Sequence, residues 1–373
     1  MLFSPEPKER REDLFDRDEE LRSFQRFLEV GGPICLILGL RRTGKSSLLK
    51  VGLRLSNLPH VVLDLRVLEE KARVSYGDFI RVLNEAFNKL LSERKALAKH
   101  LIDFLKVVDG VEVSGLRVYF KWGKRERLSL ASFFERVNDF AESCGFKVVL
   151  AFDEAQELAM LRGVRFDALL AYAYDNLRNL KIVLTGSKVG LLYKFLKIED
   201  PSSPLFGRAL WKIELSYFNE ELSKAFLKTG LAQASIAYSE DEVEEVVKAF
   251  NGVPGWLSSY GYSRLQGIPH RDALKAEKEK ASLLLAHELN NFLKLRPAAK
   301  DRYVEIIRAL ALGAKKWSEI KGYAEAKLGE AIPPKNFTEL LNKLVDSGFV
   351  VKEDGGYRLA DPLLAEAAKK IKL

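Results

Sequence analysis

The most specific chemistry in this sequence is predicted at positions 39–46, which read Gly-Leu-Arg-Arg-Thr-Gly-Lys-Ser and match the pattern G-x-x-x-x-G-K-[ST]. In such a loop, backbone N–H groups and the positive end of the following helix surround an anionic phosphate chain. The apolar run at 34–38 predicts a buried strand before the loop, and residues 46–50 begin a helix after it. The alternative is a plain Gly-rich turn, which the complete pattern and its two neighbours disfavour.

Individual residues of this loop have expected tasks. Lys45 is expected to reach the β- and γ-phosphates, and the Ser46 hydroxyl is expected to ligate Mg²⁺. The residues of the loop that are expected to contact the nucleotide are Gly39, Arg41, Arg42, Thr43, Gly44, Lys45, Ser46 and Ser47.

A second motif, at 147–154, is an apolar strand that ends in two adjacent carboxylates, Asp153 and Glu154. Beside bound nucleotide, Asp153 is expected to hold Mg²⁺ through water, and Glu154 is expected to act as general base on the attacking water. A strand that stops in an acidic turn without chemistry is the alternative. The phosphate-binding loop earlier in the chain favours the catalytic interpretation.

A third apolar strand, at 181–184, ends in Thr185, Gly186 and Ser187. Because ligands of parallel sheets collect at the carboxyl ends of the strands, Ser187 is a candidate catalytic contact for the γ-phosphate or the attacking water. Small polar residues also end strands in ordinary turns. Together the three motifs predict a nucleoside triphosphatase.

Composition limits the remaining classes of function. The chain has 373 residues, a formal net charge of +8 and 2 Cys. This length suits two or three domains, and the modest positive charge permits nucleic acid as a partner without requiring it. Two cysteines without metal-type spacing indicate neither a zinc site nor a disulfide framework, and the many charges with few Cys and Met resemble thermophilic usage. Without a run of 18 apolar residues, we expect a cytoplasmic protein with no membrane contact.

Alternation of strands and helices over 33–215 predicts an α/β fold, a parallel sheet covered by helices on both faces. The core domain is expected to span 1–216, with a β-hairpin insertion at about 110–122, whereas the Pro- and charge-rich residues 1–12 are expected to lack fixed structure. The return arm of the hairpin, at 117–127, interleaves basic and aromatic residues. This composition suits nucleic acid or an acidic partner, but a solvated hairpin with inward-facing aromatics is favoured.

The remainder of the chain has a different pattern. Short helices at 217–297 predict a helical lid domain. Three helices and a final hairpin at 298–373 predict a winged helix-turn-helix, because Pro334 suits a first helical position and Asp354-Gly355-Gly356 suits a tight turn.

Four segments together resemble the archaeal ATPase family, which belongs to the STAND branch of P-loop NTPases and is related to the AAA+ and origin-recognition ATPases. They are 14–21, the phosphate loop with its double arginine at 39–48, the Asp-Glu-Ala-Gln strand end at 153–156 and the strand end at 184–187. The resemblance covers nearly the whole chain. It implies a P-loop NTPase core of the AAA+-like type with central strands ordered 5-1-4-3-2, a helical lid and a C-terminal winged helix.

The same resemblance implies roles for residues outside the three motifs. Phe15 and Arg17 would cover the adenine, and Pro254 would approach the base or ribose from the lid. Arg208 matches a position where such families place an arginine that senses or completes a γ-phosphate site, in its own subunit or in a neighbour. The alternative for Arg208 is a surface arginine in a turn.

Two functions follow, both with ATP or ADP and Mg²⁺ as ligands. The first is a molecular switch in which slow ATP hydrolysis controls the lid and the winged helix toward a protein client, with oligomerisation left open. The second is a DNA-binding ATPase that uses the winged helix. Residues 300–373 carry 14 basic against 11 acidic residues, which is a weak basic excess for a DNA reader, so the switch is favoured.

Overall fold

The computed structural model describes residues 1–69, 71, 73–123 and 127–370. Within them the strands are β1 (Ile34–Leu38), β2 (His60–Asp64), β3 (Val111–Ser114), β4 (Arg117–Phe120), β5 (Val148–Asp153), β6 (Leu180–Gly186), β7 (Trp211–Glu214), β8 (Val350–Glu353) and β9 (Gly356–Leu359).

The helices fall into two groups. Those before residue 216 are α1 (Asp18–Val30), α2 (Lys45–Ser56), α3 (Tyr76–Glu93), α4 (Lys95–Leu105), α5 (Leu130–Ser143), α6 (Phe166–Asn176) and α7 (Val189–Leu196). Those after it are α8 (Glu220–Gln233), α9 (Glu240–Phe250), α10 (Pro254–Leu265), α11 (His270–Lys294), α12 (Lys300–Ala311), α13 (Trp317–Leu328), α14 (Pro334–Asp346) and α15 (Leu364–Lys369).

The central sheet is parallel, and its strands are ordered β2-β5-β6-β1-β7. Numbered within the sheet, this is the order 5-1-4-3-2 that the resemblance implied, so that prediction is confirmed. Strands β1, β5 and β6 are buried along their whole length, as apolar runs covered by helices on both faces must be. Strand β6 lies between β1 and β5, and it therefore sets the distance between the phosphate loop and the acidic pair.

Alternate residues of the central strands face two different hydrophobic clusters. Cys35 and Ile37 of β1 pack with α1 and α2, whereas Leu36 and Leu38 pack in the larger cluster that includes α3, α5 and α6. The sequence does not show this alternation, because the residues that face either cluster are apolar. Packing on both faces gives the three-layer α/β arrangement predicted from the alternation of elements.

The predicted insertion is an antiparallel hairpin of β3 and β4. Two side-chain amides of α3 form hydrogen bonds with the backbone groups on the outer edge of β4. Asn84 accepts from the N–H of Phe120 and donates to its carbonyl, and Asn88 does the same with Val118. Phe120 packs inward, but Tyr119 and Trp122 are 45% and 47% exposed, so the prediction of inward-facing aromatics holds only in part. Residues 124–126 of the basic segment lie outside the described residues.

The C-terminal part contains the predicted winged helix-turn-helix, formed by α12, α13, α14 and the β8–β9 hairpin. Helix α15 was not predicted, and it packs against α11 and α12. The Phe292 ring of α11 lies 5.0 Å from that of Tyr303 and 5.2 Å from that of Phe349, which places the ends of the lid and the winged helix in one hydrophobic cluster. The division of the chain at 216 and 297 remains a proposal; below, "lid" means 217–297 and "winged helix" means 298–373.

The N-terminal residues have a defined place, so the expectation that 1–12 lack fixed structure is wrong. Leu2 and Phe3 are 2% and 0% exposed, and both belong to the hydrophobic cluster of the lid. The composition of the segment concealed this, because two apolar residues before a charged run become buried only when a distant groove receives them. In the described part of the chain, no helix has the length and apolar character needed to cross a bilayer.

Candidate active site

Most of the predicted site residues converge on an open cavity of about 660 Å³ at the carboxyl edge of the central sheet, whereas Gly39, Asp153 and Arg208 are not among its lining residues. The phosphate loop follows β1, Glu154 follows β5 and Ser187 follows β6, so parallel strands bring all three to one edge. The lid and the N-terminal segment complete the cavity walls. The lining residues that the sequence had predicted are Phe15, Arg17, Arg41, Arg42, Thr43, Gly44, Lys45, Ser46, Ser47, Glu154, Ser187 and Pro254.

Two glycines give the phosphate loop its shape. Gly39 and Gly44 have φ angles of 151° and 99°, in a region that L-residues with a Cβ rarely adopt. A Cβ on Gly39 would also lie 2.5 Å from the carbonyl oxygen of Leu215, inside any permitted contact distance. Helix α2 begins at Lys45, immediately after Gly44, so its first N–H groups face the cavity.

Lys45 is a buried cation whose hydrogen bonds, within the described residues, go to backbone carbonyls. Its side chain is 4% exposed, and Nζ donates to the carbonyl oxygens of Gly39 and Leu40 at 2.9 Å and 2.8 Å. Among the described residues, no carboxylate lies within 4.0 Å of this nitrogen. Burial lowers the pKa of Lys45, and the nearby acidic pair opposes that effect. A buried ammonium without a paired anion fits a site that receives phosphate.

The oxygen ligands expected for Mg²⁺ are already adjacent. The Ser46 hydroxyl donates to Asp153 Oδ2 at 2.7 Å, and the Thr185 hydroxyl donates to Asp153 Oδ1 at 2.5 Å. Burial raises the pKa of Asp153, while these two hydrogen bonds act against the rise. A hydroxyl and a carboxylate in this arrangement suit Mg²⁺, whose charge would hold Asp153 in its ionised form.

Glu154 is held by several donors. Its Oε2 accepts from Ser187 N at 3.1 Å, from the Ser187 hydroxyl at 2.5 Å and from Gln156 Nε2 at 2.6 Å. Burial alone would raise the pKa of Glu154, but the charge of Lys45 and these hydrogen bonds lower it overall. The φ angle of Glu154 is 58°, in the left-handed region, and it turns the residue out of β5 toward the cavity. The carboxylate is therefore ionised at neutral pH, as a general base must be.

The double arginine of the phosphate loop is tied to the lid. Arg41 and Arg42 share Glu288 of α11, at N–O distances of 2.6 Å and 2.8 Å. Arg41 also pairs with Glu69. Glu288 has no recognisable signal in the sequence, because no local pattern in α11 marks it and 246 residues separate it from Arg42.

A second connection runs from the loop to the winged helix. The Arg42 guanidinium lies 4.2 Å from the centre of the Trp256 ring in α10, and its carbonyl accepts from Gly255 N at 3.1 Å. The Trp256 indole donates to Asp361 Oδ2 at 2.8 Å, in a buried contact. Burial raises the pKa of Asp361, against the effect of this hydrogen bond and of the Arg42 charge. The phosphate loop, the lid and the winged helix are thus in direct contact around one arginine.

The other end of the cavity is aromatic. The Phe15 ring lies edge-on to Phe218 and Phe226 at 5.9 Å and 5.3 Å, and Pro254 also lines the cavity. An apolar, ring-lined wall suits a nucleoside base. Arg17 is 5% exposed and donates to the carbonyls of Thr43 and Ser216, so it connects the phosphate loop to the residue just before the lid.

Arg208 is not brought to this cavity. It precedes β7, which pairs in parallel with β1, and it therefore lies near the amino-terminal edge of the sheet. There its guanidinium makes two hydrogen bonds to Asp175, at 3.1 Å and 2.6 Å. The prediction that Arg208 completes the site within one chain is not supported by this geometry, which agrees with the alternative of a surface arginine.

Comparison with known families identifies two regions. Residues 14–259 match the model of an ATPase domain predominantly from Archaea. Residues 297–360 match the model of the C-terminal winged helix-turn-helix domain of MCM proteins. A search of curated proteins found no match.

Solved structures similar to this chain also include an ATPase. A Walker-type ATPase of Pyrococcus abyssi is 38% identical with a TM-score of 0.82, over 99% of this chain and 100% of that one. The ORC2 protein of Aeropyrum pernix, solved with ADPNP and ADP, is 13% identical with a TM-score of 0.52, over 95% of this chain and 93% of that one. At that identity the second similarity concerns the fold alone.

Proposed function

Because this chain belongs to the family of ATPase domains found predominantly in Archaea, we propose that it is an Mg²⁺-dependent ATP-hydrolysing switch of the STAND type. In this proposal the nucleotide state sets the arrangement of the lid and the winged helix. The observation that carries it is the contact of Arg41 and Arg42, inside the phosphate loop, with Glu288 and Trp256 of the lid.

The geometry supports a proposed role for each residue of the site. Lys45 would exchange its two carbonyl acceptors for phosphate oxygens, and Ser46 and Asp153 would supply the oxygens that hold Mg²⁺. When bound, Mg²⁺ neutralises charge on the phosphate oxygens. Glu154 orients the attacking water and takes its proton, while Ser187 holds the Glu154 carboxylate in place.

The switch arises from competition for the two arginines. Glu288 and a phosphate chain are both anionic, and both attract Arg41 and Arg42. Nucleotide biases the lid only if its contacts differ between two arrangements, and exchange of a carboxylate for phosphate supplies such a difference. Since Trp256 also bonds to Asp361, movement of α10 is transmitted to the winged helix. Tyr217, at the start of the lid, is the proposed hinge.

Trp256 provides the direct test of this coupling. Addition of ATP and Mg²⁺ is expected to change its intrinsic fluorescence as Arg42 leaves the indole ring. The change should be absent in Trp256→Phe, which keeps a ring but removes the indole, and in Lys45→Ala, which removes nucleotide binding. A wild-type signal that is unaffected by ATP, although ATP is hydrolysed, would overturn the switch while leaving the ATPase intact.

A DNA-binding ATPase is the second candidate, and one observation favours it. In α14, the helix that enters the major groove in many winged helices, one face of the N-terminal half is solvent-exposed, while Phe337 and Leu340 on the other face are buried. However, its charged residues Lys335, Glu339 and Lys343 nearly cancel, and Asp346 at its C-terminal end pairs with Lys194 of the core. The proposed partner is therefore a protein client first and duplex DNA second.

A further inference from the structure

The N-terminal segment 1–8, here called the strap, is attached to the lid by Phe3. The ring fills a gap between α8 and α10, where a Cβ on Gly230 or Gly261 would lie 2.2 Å or 2.3 Å from its atoms. Phe3 is fully buried, and its ring packs edge-on against Phe226 at 5.6 Å. The two glycines thus form a receptor for one aromatic ring.

The other end of the strap is attached to the core. The backbone N–H of Lys8 donates to the Ser47 hydroxyl of α2 at 3.0 Å. The Lys8 ammonium turns back and donates to the carbonyl of Ser4 at 2.6 Å, and burial lowers its pKa to about 8. Between its two attachments the strap crosses from the lid to the helix that follows the phosphate loop. Its cavity-lining residues are Ser4, Pro5, Glu6, Pro7 and Lys8.

Phe3 also supports the aromatic end of the cavity from behind. It contacts Phe226, and Phe226 in turn contacts Phe15 at 5.3 Å. Phe15 and Phe226 both line the cavity. Loss of the Phe3 ring would therefore loosen the wall where the nucleoside is expected, and would leave the contacts of Lys45 and Ser46 in place.

We propose that the strap is a structural wall of the nucleotide site, and that release of a nucleoside di- or triphosphate requires Phe3 to leave its receptor on the lid. This inference rests on the proposed function, since it concerns the same cavity. It assigns the Phe3 end of the strap to the nucleoside end of the ligand and not to the phosphate chain. The strap then determines how long nucleotide stays bound, whereas the loop at 39–46 determines whether it binds.

The test measures dissociation of a fluorescent ADP analogue from the full chain by stopped flow. Phe3→Ala and Gly261→Ala are each expected to raise the dissociation rate about tenfold, because the first removes the ring and the second fills its receptor. Inorganic tripolyphosphate, which has no nucleoside, should bind all variants with the same Kd. Unchanged dissociation in both variants would overturn the inference.

Two controls separate the strap from general damage to the lid. Gly322→Ala adds a Cβ to a helical glycine with nothing within 4 Å, and it should leave dissociation unchanged. Val246→Ala truncates a residue buried in the lid on α9, and it should lower thermal stability without the same rise in dissociation rate. Equal acceleration in Val246→Ala would show that the effect belongs to lid stability and would also overturn the inference.

A double-mutant cycle gives the sharpest result. Once Phe3 is alanine, the Cβ of Gly261→Ala meets an empty receptor, so the double variant should release the analogue no faster than Phe3→Ala alone. If the two substitutions instead multiplied their separate effects on the dissociation rate, they would not act through the same loss of Phe3 from its receptor. If the wild type binds no nucleotide, the proposed function itself has failed, whereas tight binding with strap-independent release rejects only this inference.

Discussion

The Ser46 hydroxyl lies 2.7 Å from Asp153 Oδ2, although 107 residues separate them in the chain. Strand β6 between β1 and β5 sets this distance, and its Thr185 contributes a second hydrogen bond to the same carboxylate. The pair places a hydroxyl and a carboxylate at one end of the phosphate loop. The predictions below follow from this arrangement and from the ion pairs around it.

Removing the Lys45 ammonium should abolish nucleotide binding. Lys45→Ala removes the buried cation that bonds to two carbonyls of the phosphate loop, and we expect ATP affinity to fall by about 100-fold or more, as for loss of a buried charge–phosphate contact. Isothermal titration with ATP and Mg²⁺ measures this. The matched control is Lys50→Ala on the same helix, whose ammonium pairs with Glu9 outside the cavity and whose loss should change little. Unchanged affinity in Lys45→Ala would reject the loop as the binding site.

The pH dependence of hydrolysis should distinguish the two carboxylates. Burial raises the pKa of Asp153, whereas the pKa of Glu154 is lowered overall. Both act as anions, so activity is lost as pH falls, and the raised pKa of Asp153 moves its protonation to higher pH than that of an ordinary aspartate. We expect kcat/KM to fall on the acidic side through the pKa of Asp153, and higher Mg²⁺ to move this limb to lower pH, because the ion competes with the proton. An acidic limb that does not move with Mg²⁺ would contradict the metal role of Asp153.

Removing Glu288 should strengthen ATP binding. In Glu288→Ala, nucleotide binding no longer requires the ion pairs of Arg41 and Arg42 with a carboxylate to be broken. We therefore expect ATP affinity to rise about fivefold to tenfold. Glu279→Ala, an exposed position on the same helix, is the control. Weaker binding in Glu288→Ala would mean that Glu288 positions the two arginines for nucleotide instead of competing for them.

Duplex DNA should leave hydrolysis unchanged if the partner is a protein. A deletion of the winged helix cannot test this, because Phe349 belongs to the hydrophobic cluster that contains Phe292 of the lid. The combined substitution Lys335→Glu and Lys343→Glu changes exposed residues only, with Lys275→Glu on α11 as control. Stimulation by DNA that disappears in the double variant and persists in the control would establish the DNA-binding alternative.

Much of the fold could be predicted from the sequence, where short-range patterns or the family resemblance specify an element. The strand order followed from the resemblance, and α14 begins at Pro334, the residue that the sequence predicted for a first helical position. The loop at 39–46 was equally clear, since its glycines are required by backbone geometry. Elements with local determinants were therefore predicted well.

Contacts between segments that are distant in the chain could not be predicted from the sequence. Glu288 is one of many acidic residues on a charged helix, and only the folded chain brings it to Arg41 and Arg42. Phe3 stands in a segment whose composition suggests disorder, and its receptor is formed by two glycines on different helices. Arg208 was assigned by family position alone, and its partner Asp175 gave no signal in the sequence.

The measurement that tests the central claim most directly is ATP turnover by Glu154→Gln beside the wild type, with nucleotide binding measured on the same samples. Glutamine keeps the shape of the side chain and removes the base, so kcat should fall by about 100-fold or more while ATP affinity stays within about twofold. Glu142→Gln, on the exposed end of α5, is the control. Wild-type turnover in Glu154→Gln would contradict the account and place the general base elsewhere.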